Sequence, residues 1–459
     1  MKHAILSLST LLLATGCTMA PRYTRPEAPV PAQLPAAPQA EGALAADARW
    51  QDYFTNPGLQ AVVKLAFVHN RDLRIAALNV ERMQAAYRIQ RSELLPGIGV
   101  MGNGSKYRLP EKMNNGTAKL VEQDSVNVGL MSWELDFFGR IRSLKSRALN
   151  QYLATEQAQA SARISLVAAV AQAYLAYAAD QENLTLATAT FEAQKAYHDL
   201  IAKSRALGVA SDLELRQAQS QMETARADVA KFRGLVAVDR HALDLVAGTP
   251  VPVDLLPKGL DAAGELKDLA AGLSSEVLLR RPDILMAEYQ LKAAYGNIGA
   301  ARAAFFPSIS LTAGFGTMSP DFSGLFDSGT RTWSFTPKVV MPIFAGGSLL
   351  ANLKVSKVDR DIALATYEKA IQTAFQEVAN GLARREAFVE QVDAQRSLVE
   401  ALAESYRLSD ARYKEGLDGY LSVLVAQRAL YAAQQGFVAT RLARQVNQIT
   451  LYKALGGRM

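Results

Sequence analysis

The sequence predicts a membrane β-barrel continued by a long α-helical coiled-coil barrel, with four strands per chain and an internal tandem duplication. Three observations carry this. Four segments of about ten residues alternate apolar with small or polar residues, the pattern of barrel strands. Two stretches of 68 residues, 140–207 and 348–415, contain no proline and only Gly381 between them. The second half of the chain repeats the first at offsets of 206 to 211 residues, so a repeat architecture has to be considered before anything else.

The chain opens on a short basic start and an apolar stretch at 4–15, the length of a signal peptide and too short to span a membrane as a helix. Leu13-Ala14-Thr15-Gly16-Cys17 resembles a bacterial lipoprotein cleavage site, with Ala14 where a larger aliphatic is more usual. The resemblance implies a signal peptide at 1–16 and lipidation of Cys17; the alternative is an ordinary secretory signal with an incidental cysteine. Thr18 follows, where lipoproteins held at the inner membrane usually carry Asp, so the site points to the outer membrane. Residues 17–56 then form an arm whose six prolines from Pro21 to Pro38 exclude a helical core and predict extended chain.

Repeat 1 spans 57–248 and repeat 2 spans 276–459, joined by a linker at 249–275. In each, a helix ends at a proline: Leu94-Leu95-Pro96 and Phe305-Phe306-Pro307. Two strands follow, then a long and a shorter helix. A 68-residue helix would be about 100 Å long at 1.5 Å per residue and has to pack along its length, as coiled coils do. Alanine and spaced leucines (Leu149, Leu153, Leu166, Leu175) suit close helix approach. Gly208 can end the first long helix in the left-handed conformation, and Ser211-Asp212-Leu213-Glu214 has capping-box spacing. Gly416 and Asp418 are expected to play the same parts in repeat 2. Each repeat thus forms a tight helical hairpin.

The predicted strands are 97–107, 124–134, 308–317 and 331–341. Ile309, Leu311, Ala313 and Phe315 fall on one face, with Ser308, Ser310, Thr312 and Gly316 on the other. In repeat 1 the alternation slips near Met101 and Met131. Four strands cannot close a barrel, and an open sheet edge cannot face lipid, so several chains have to share the barrel. Three chains supply twelve strands; two or four remain feasible from the sequence alone. A soluble pair of hairpins would leave large apolar patches exposed.

Composition narrows the chemistry. Fifty basic against 44 acidic residues gives a net charge of +6, scattered without clusters, which argues against nucleic-acid binding. One cysteine and four distant histidines (His3, His69, His198, His241) exclude a disulfide framework and a Cys- or His-spaced metal motif. Gly97-Ile98-Gly99-Val100-Met101-Gly102 fits GxGxxG but has no following helix. No nucleophile–base constellation is evident, so neither a cofactor nor an enzymatic activity is expected.

Several strings resemble the outer-membrane factor family of tripartite efflux pumps, in its lipoprotein branch. They are Cys17 with APRYTRPEAPVP, WQDYFTNPGLQ at 50–60, NRDLRIAALNVE at 70–81, LRRPDI at 279–284 with AE at 287–288, FFPSISL at 305–311, PIFAGG at 342–347 and RYKEGLDGYLSVLVAQR at 412–428. The resemblance implies a homotrimer with a twelve-stranded barrel in outer-membrane lipid, a periplasmic helical tunnel and an equatorial belt that includes 249–275. It implies a periplasmic adaptor and an inner-membrane transporter of the RND type as partners. It also implies a gate at the periplasmic helical tip, at Tyr413, Leu421 and Arg428. Many relatives have Asp immediately before the Ala-Gln-Arg element, where this chain has Val425; Asp212, Glu214 and Asp418 stand nearby as carboxylates, with helix capping as their plainer role. The expected function is a passive exit duct for drugs opened by the adaptor. The alternatives are a non-conducting trimeric envelope scaffold and a protein-secretion duct. The sequence does not name the cargo, because a wide polar tunnel has no fitted pocket.

Overall fold

The computed structural model describes residues 18–34, 49–264, 266 and 274–457. Cys17 and the signal peptide lie outside them. The element order is α1 (Trp50–Tyr53), α2 (Pro57–His69), α3 (Arg71–Ser92), β1 (Gly97–Leu109), β2 (Lys119–Leu135), α4 (Arg140–Ala206), α5 (Asp212–Ala247), α6 (Leu260–Ala263), α7 (Pro282–Ala303), β3 (Ser308–Ser319), β4 (Arg331–Val340), α8 (Ser348–Lys414) and α9 (Tyr420–Ala454). The series helix, two strands, long helix, shorter helix therefore occurs twice. The chain divides into two compact units, and the long helices contribute segments to both.

The first unit holds the sheet, with residues 18–27, 79–156 and 286–367. Its strands run in the order β1-β2-β3-β4, each antiparallel to the next. The register places Val100, Val128, Phe315 and Trp333 directly opposite one another in a single row. All four are more than half exposed. One residue along, on the opposite face, the row reads Gly99, Gly129, Gly314, Ser334. At this level of the sheet one face is thus apolar and bare while the other carries only glycine and serine.

The alternation slip near Met131 is a β-bulge: the register shifts between Leu130 and Trp133, and Ser132 has a φ of +22°. An extra residue there returns Trp133 and Leu135 to phase with β3. No such break occurs at Met101, which pairs with Asn127 in an unbroken ladder. Its large side chain stands on the small-residue face without a bulge. The first two strands also run past their expected inner ends at 107 and 124, to Leu109 and from Lys119. The pairing Lys106–Glu122 (2.5 Å) helps hold that extension.

In the second unit the core is a helix seam. Ile164, Val167, Ala171, Tyr174 and Ala178 of α4 are buried at spacings of three and four, the heptad signature. This is also why α4 is, among the described residues, the one helix apolar enough to cross a membrane: more than half of that window is buried inside the protein. Two of the sequence strings prove to be packing devices. Trp50-Gln51-Asp52-Tyr53-Phe54 delivers Tyr53 and Phe54 against Tyr452, with the Tyr53 and Tyr452 rings stacked at 4.8 Å. Arg281 of LRRPDI is 6% exposed and hydrogen-bonds Asp283 (2.7 Å), Glu377 (2.8 Å) and the Ala454 carbonyl (2.6 Å), fastening α8 and the end of α9 to the start of α7.

Gly248 closes α5 with φ +74°, and a Cβ there would stand 2.4 Å from the His69 carbonyl oxygen. Gly248→Ala should therefore cost more than about 2 kcal/mol, combining left-handed strain with a backbone clash. A thermal melt reads this, and an unchanged midpoint would show that the α2–α5 junction yields freely.

Candidate functional site

The hairpin tips are built from local sequence. In repeat 1, Gly208 takes φ +78° and ends α4. Ser211 then caps α5: its Oγ accepts from the Glu214 N–H (3.2 Å), and Glu214 Oε2 accepts from the Ser211 N–H (2.7 Å). Asp212 does not cap. It takes a two-point pair from Arg205 across the turn, at 2.7 and 3.1 Å.

Repeat 2 differs from expectation. Gly416 is left-handed at φ +72°, but Asp418 is not the cap of α9. The N-cap is Gly419, with no side-chain cap. Asp418 instead receives Arg412 at 2.6 and 3.1 Å, the counterpart of the Arg205–Asp212 pair. The physical reason is reach: one residue further from the helix start, the carboxylate meets the guanidinium of the preceding helix rather than the first free N–H groups. The arginine pairs and the Ser211 bonds hold the carboxyls of Asp212, Asp418 and Glu214 below their ordinary range. All three carboxylates are thus engaged within their own hairpins.

Leu421 (66% exposed), Val425 (60%) and Arg428 form one exposed stripe on α9 at spacings of four and three. Val423 and Ala426 face the other way and are buried, and Leu424, beside the stripe, is buried too. Val425 therefore extends the apolar part of the stripe by one helical turn. Arg428 lines a groove of about 410 Å³ between α4, α5 and α9, where Asp228 accepts from the Tyr431 hydroxyl (3.2 Å) and Gln194 donates to Gln427 (2.6 Å). Asp228 rather than Asp212, Glu214 or Asp418 is the carboxylate that shares the Arg428 groove. Sequence reading passed over it because it sits mid-helix with no motif around it.

Tyr413 is placed with two aromatics that the sequence did not single out. Its ring meets Tyr420 edge-on at 5.1 Å, and Tyr420 stacks on Tyr197 of α4 at 3.5 Å with 14° between planes. Burial first, then the neighbouring tyrosines, raises the phenols of Tyr197 and Tyr420 above their ordinary value. They stay neutral through the physiological range. The spacing Tyr406–Tyr413–Tyr420, seven residues each, was the available signal.

A separate cluster seats the arm in the first unit. Glu288 of α7 is 3% exposed and accepts from Arg25 (2.6 and 3.3 Å), the Tyr23 hydroxyl (3.0 Å) and Lys292 (2.9 Å). Further toward the N-terminus, the Met19 carbonyl accepts from Arg302 (3.1 Å) and the Thr18 hydroxyl bonds Ser143 (2.8 Å). Among the described residues no group of His, Cys, Asp and Glu could hold a metal ion.

The sequence model of the outer membrane efflux protein family matches residues 62–249 and again 273–457. This chain belongs to that family. It is the outer-membrane channel component of an efflux pump. The chain is 47% identical over its whole length to the toluene efflux pump outer membrane protein TtgC of Pseudomonas putida, covering 96% of that protein. It matches the antibiotic efflux pump outer membrane protein ArpC of the same species at 47%, with the same coverage. Among solved structures, the open state of the Neisseria gonorrhoeae MtrE outer membrane channel superposes with a TM-score of 0.87 at 39% identity, over 96% of this chain and 98% of that one. The four-stranded sheet and paired long helices are the fold of these efflux channels. The family and these relatives are named for efflux, not for catalysis.

Proposed function

We propose that three copies of this chain close a twelve-stranded barrel in the outer membrane and form a passive exit duct. A periplasmic adaptor opens its helical tip, and an inner-membrane transporter of the RND type supplies the energy. The observation that carries this is the bare apolar row Val100–Val128–Phe315–Trp333 backed by Gly99–Gly129–Gly314–Ser334. Lipid covers the first face, small side chains keep the second open as a lumen, and edge strands β1 and β4 pair between copies. The cargo is organic and apolar or amphiphilic, as the names of the toluene and antibiotic efflux relatives suggest. Reconstitution in planar bilayers tests this: discrete cation- and anion-permeable conductance from a cross-linkable trimer is expected. A trimer without conductance would make the protein a scaffold.

The chain is organised as a signal peptide at 1–16, an arm at 17–56, repeats at 57–248 and 276–459 and a belt linker at 249–275. Cys17 carries the lipid. Supporting this, Thr18, the next residue, is bonded to Ser143 three residues into α4, just after strand β2 has ended. Mass spectrometry of the mature N-terminus checks it.

The gate is the tip stripe, with Leu421 as an apolar ring and Tyr413 and Arg428 beside it, while Asp212, Glu214 and Asp418 keep the hairpin turns in shape. Val425 adds a second apolar ring where a carboxylate would attract cations. Val425→Asp should move the zero-current potential in a salt gradient toward the cation value. An unmoved potential would mean that residue 425 does not line the pore.

A further inference from the structure

We infer that Tyr197, on the long helix α4, is a positioning residue for the tip gate: its ring sets the rotation of the first turn of α9 and so the direction of Leu421. The inference rests on the gate reading above. Its basis is a difference between the two hairpins. Helix α5 begins with a reciprocal capping box, Ser211 with Glu214, which fixes its first turn through two backbone N–H groups. Helix α9, which bears the gate stripe, begins at Gly419 with no side-chain cap. A glycine entry leaves the first turn free to fray and to rotate.

What holds that turn is aromatic. Tyr420, the first residue of α9, lies flat on Tyr197 with centroids 3.5 Å apart and 14° between planes. Tyr413, from the last turn of α8, closes on the other ring edge at 5.1 Å and 63°. The stack joins a ring on α4 to one on α9, so it ties the second hairpin to the first. Successive residues on a helix point about 100° apart. With Tyr420 turned inward against Tyr197, Leu421 is turned out, which is where its 66% exposure places it. Val425 and Arg428 follow on the same stripe. Tyr197 itself lies off that stripe, on another helix; its ring acts through Tyr420, and its hydroxyl also meets Tyr413.

The test is single-channel conductance of the full-length protein in planar bilayers, for Tyr197→Ala, Tyr197→Leu, Tyr197→Phe and Leu421→Ala, each also followed by thermal unfolding. A good aromatic pair is worth up to about a factor of ten in an equilibrium. Tyr197→Leu, which keeps the site apolar and filled, should raise the closed-state conductance by up to about that factor. Tyr197→Phe keeps the stack and loses only the hydroxyl, so it should keep the parent value, an outcome that a role for the hydroxyl, which meets Tyr413, would not allow. Tyr197→Ala should behave as Tyr197→Leu; if it does not assemble, the leucine variant decides. If Leu421→Ala raises conductance while Tyr197→Leu does not, the positioning role is overturned and the gate stands. If Leu421→Ala itself has no effect, the gate reading fails. If Tyr197→Phe conducts as much as Tyr197→Leu, the ring stack is not what sets the helix.

Discussion

Leu421→Ala should raise the conductance of the closed channel by about tenfold or more. The side chain is two-thirds exposed in a single chain, on a stripe whose opposite face is buried, so in the proposed closed trimer its contacts would come from the other copies. Truncating a leucine removes about 2 kcal/mol of apolar contact, three copies lose it together, and 1.4 kcal/mol is already tenfold in an equilibrium. An apolar ring also excludes water from a narrow pore, and alanine relaxes that barrier as well. Val425 lies one turn along on the same stripe, so the double replacement with Val425→Ala should exceed the single one. Equal conductance of parent and Leu421→Ala would remove Leu421 from the gate.

Glu288→Gln should release the N-terminal arm. The parent carboxylate is almost wholly buried and takes hydrogen bonds from Tyr23 and Arg25 of the arm and from Lys292. Hydrogen bonds to charged groups contribute about 1.5–3 kcal/mol each, so losing the charge weakens the seat by about 2–3 kcal/mol in all, the arginine being half in solvent. Local opening then increases by about tenfold or more, which trypsin reads as faster cleavage at Arg22, an exposed residue of the arm. Protection equal to the parent would mean that other contacts hold the arm. The pH dependence has a definite sign. Burial alone would raise the pKa of Glu288, but the bonds from Arg25, Lys292 and Tyr23 outweigh it and hold the group below 4.5. A depressed carboxylate stabilises fully above its unfolded value and loses that contribution as pH falls through the folded one. The arm should therefore stay seated at neutral pH and loosen only as pH drops below about 4.5.

Much of the fold is legible in local pattern. Absence of proline, and of glycine except Gly381 in α8, marks α4 and α8 to within a residue, because a helix interior tolerates neither well. Strict alternation at 308–317 marks β3 for the same kind of reason: a strand between lipid and lumen needs opposite side chains at successive positions. The bulge at Leu130–Trp133 shows as a phase slip, yet the slip at Met101 does not correspond to a bulge. Alternation reports which side chain faces where; it does not report backbone pairing, and one misplaced large residue imitates a register shift.

The tip was legible only in part. Capping by Ser211 and Glu214 is a relation over three residues and can be read directly. The Arg205–Asp212 and Arg412–Asp418 pairs span a turn, and Asp418 is not the cap its spacing suggests because one residue of displacement turns a cap into an ion pair. Asp228 against Tyr431, Tyr197 against Tyr420 and Glu288 against Arg25 join positions 200 or more residues apart. No spacing rule reaches them.

By itself, then, the sequence determined the elements, their duplication, the alternation of the sheet faces and the need for further copies to close the barrel. Those follow from short-range covalent and steric rules that act within a few residues. Only the tertiary structure decided which carboxylate shares the groove of Arg428, which tyrosine stacks on the first residue of the uncapped helix, and where the arm is fastened. Each of these is a contact between surfaces folded from distant parts of the chain, and its energy depends on burial and distance that exist only once the helices have packed.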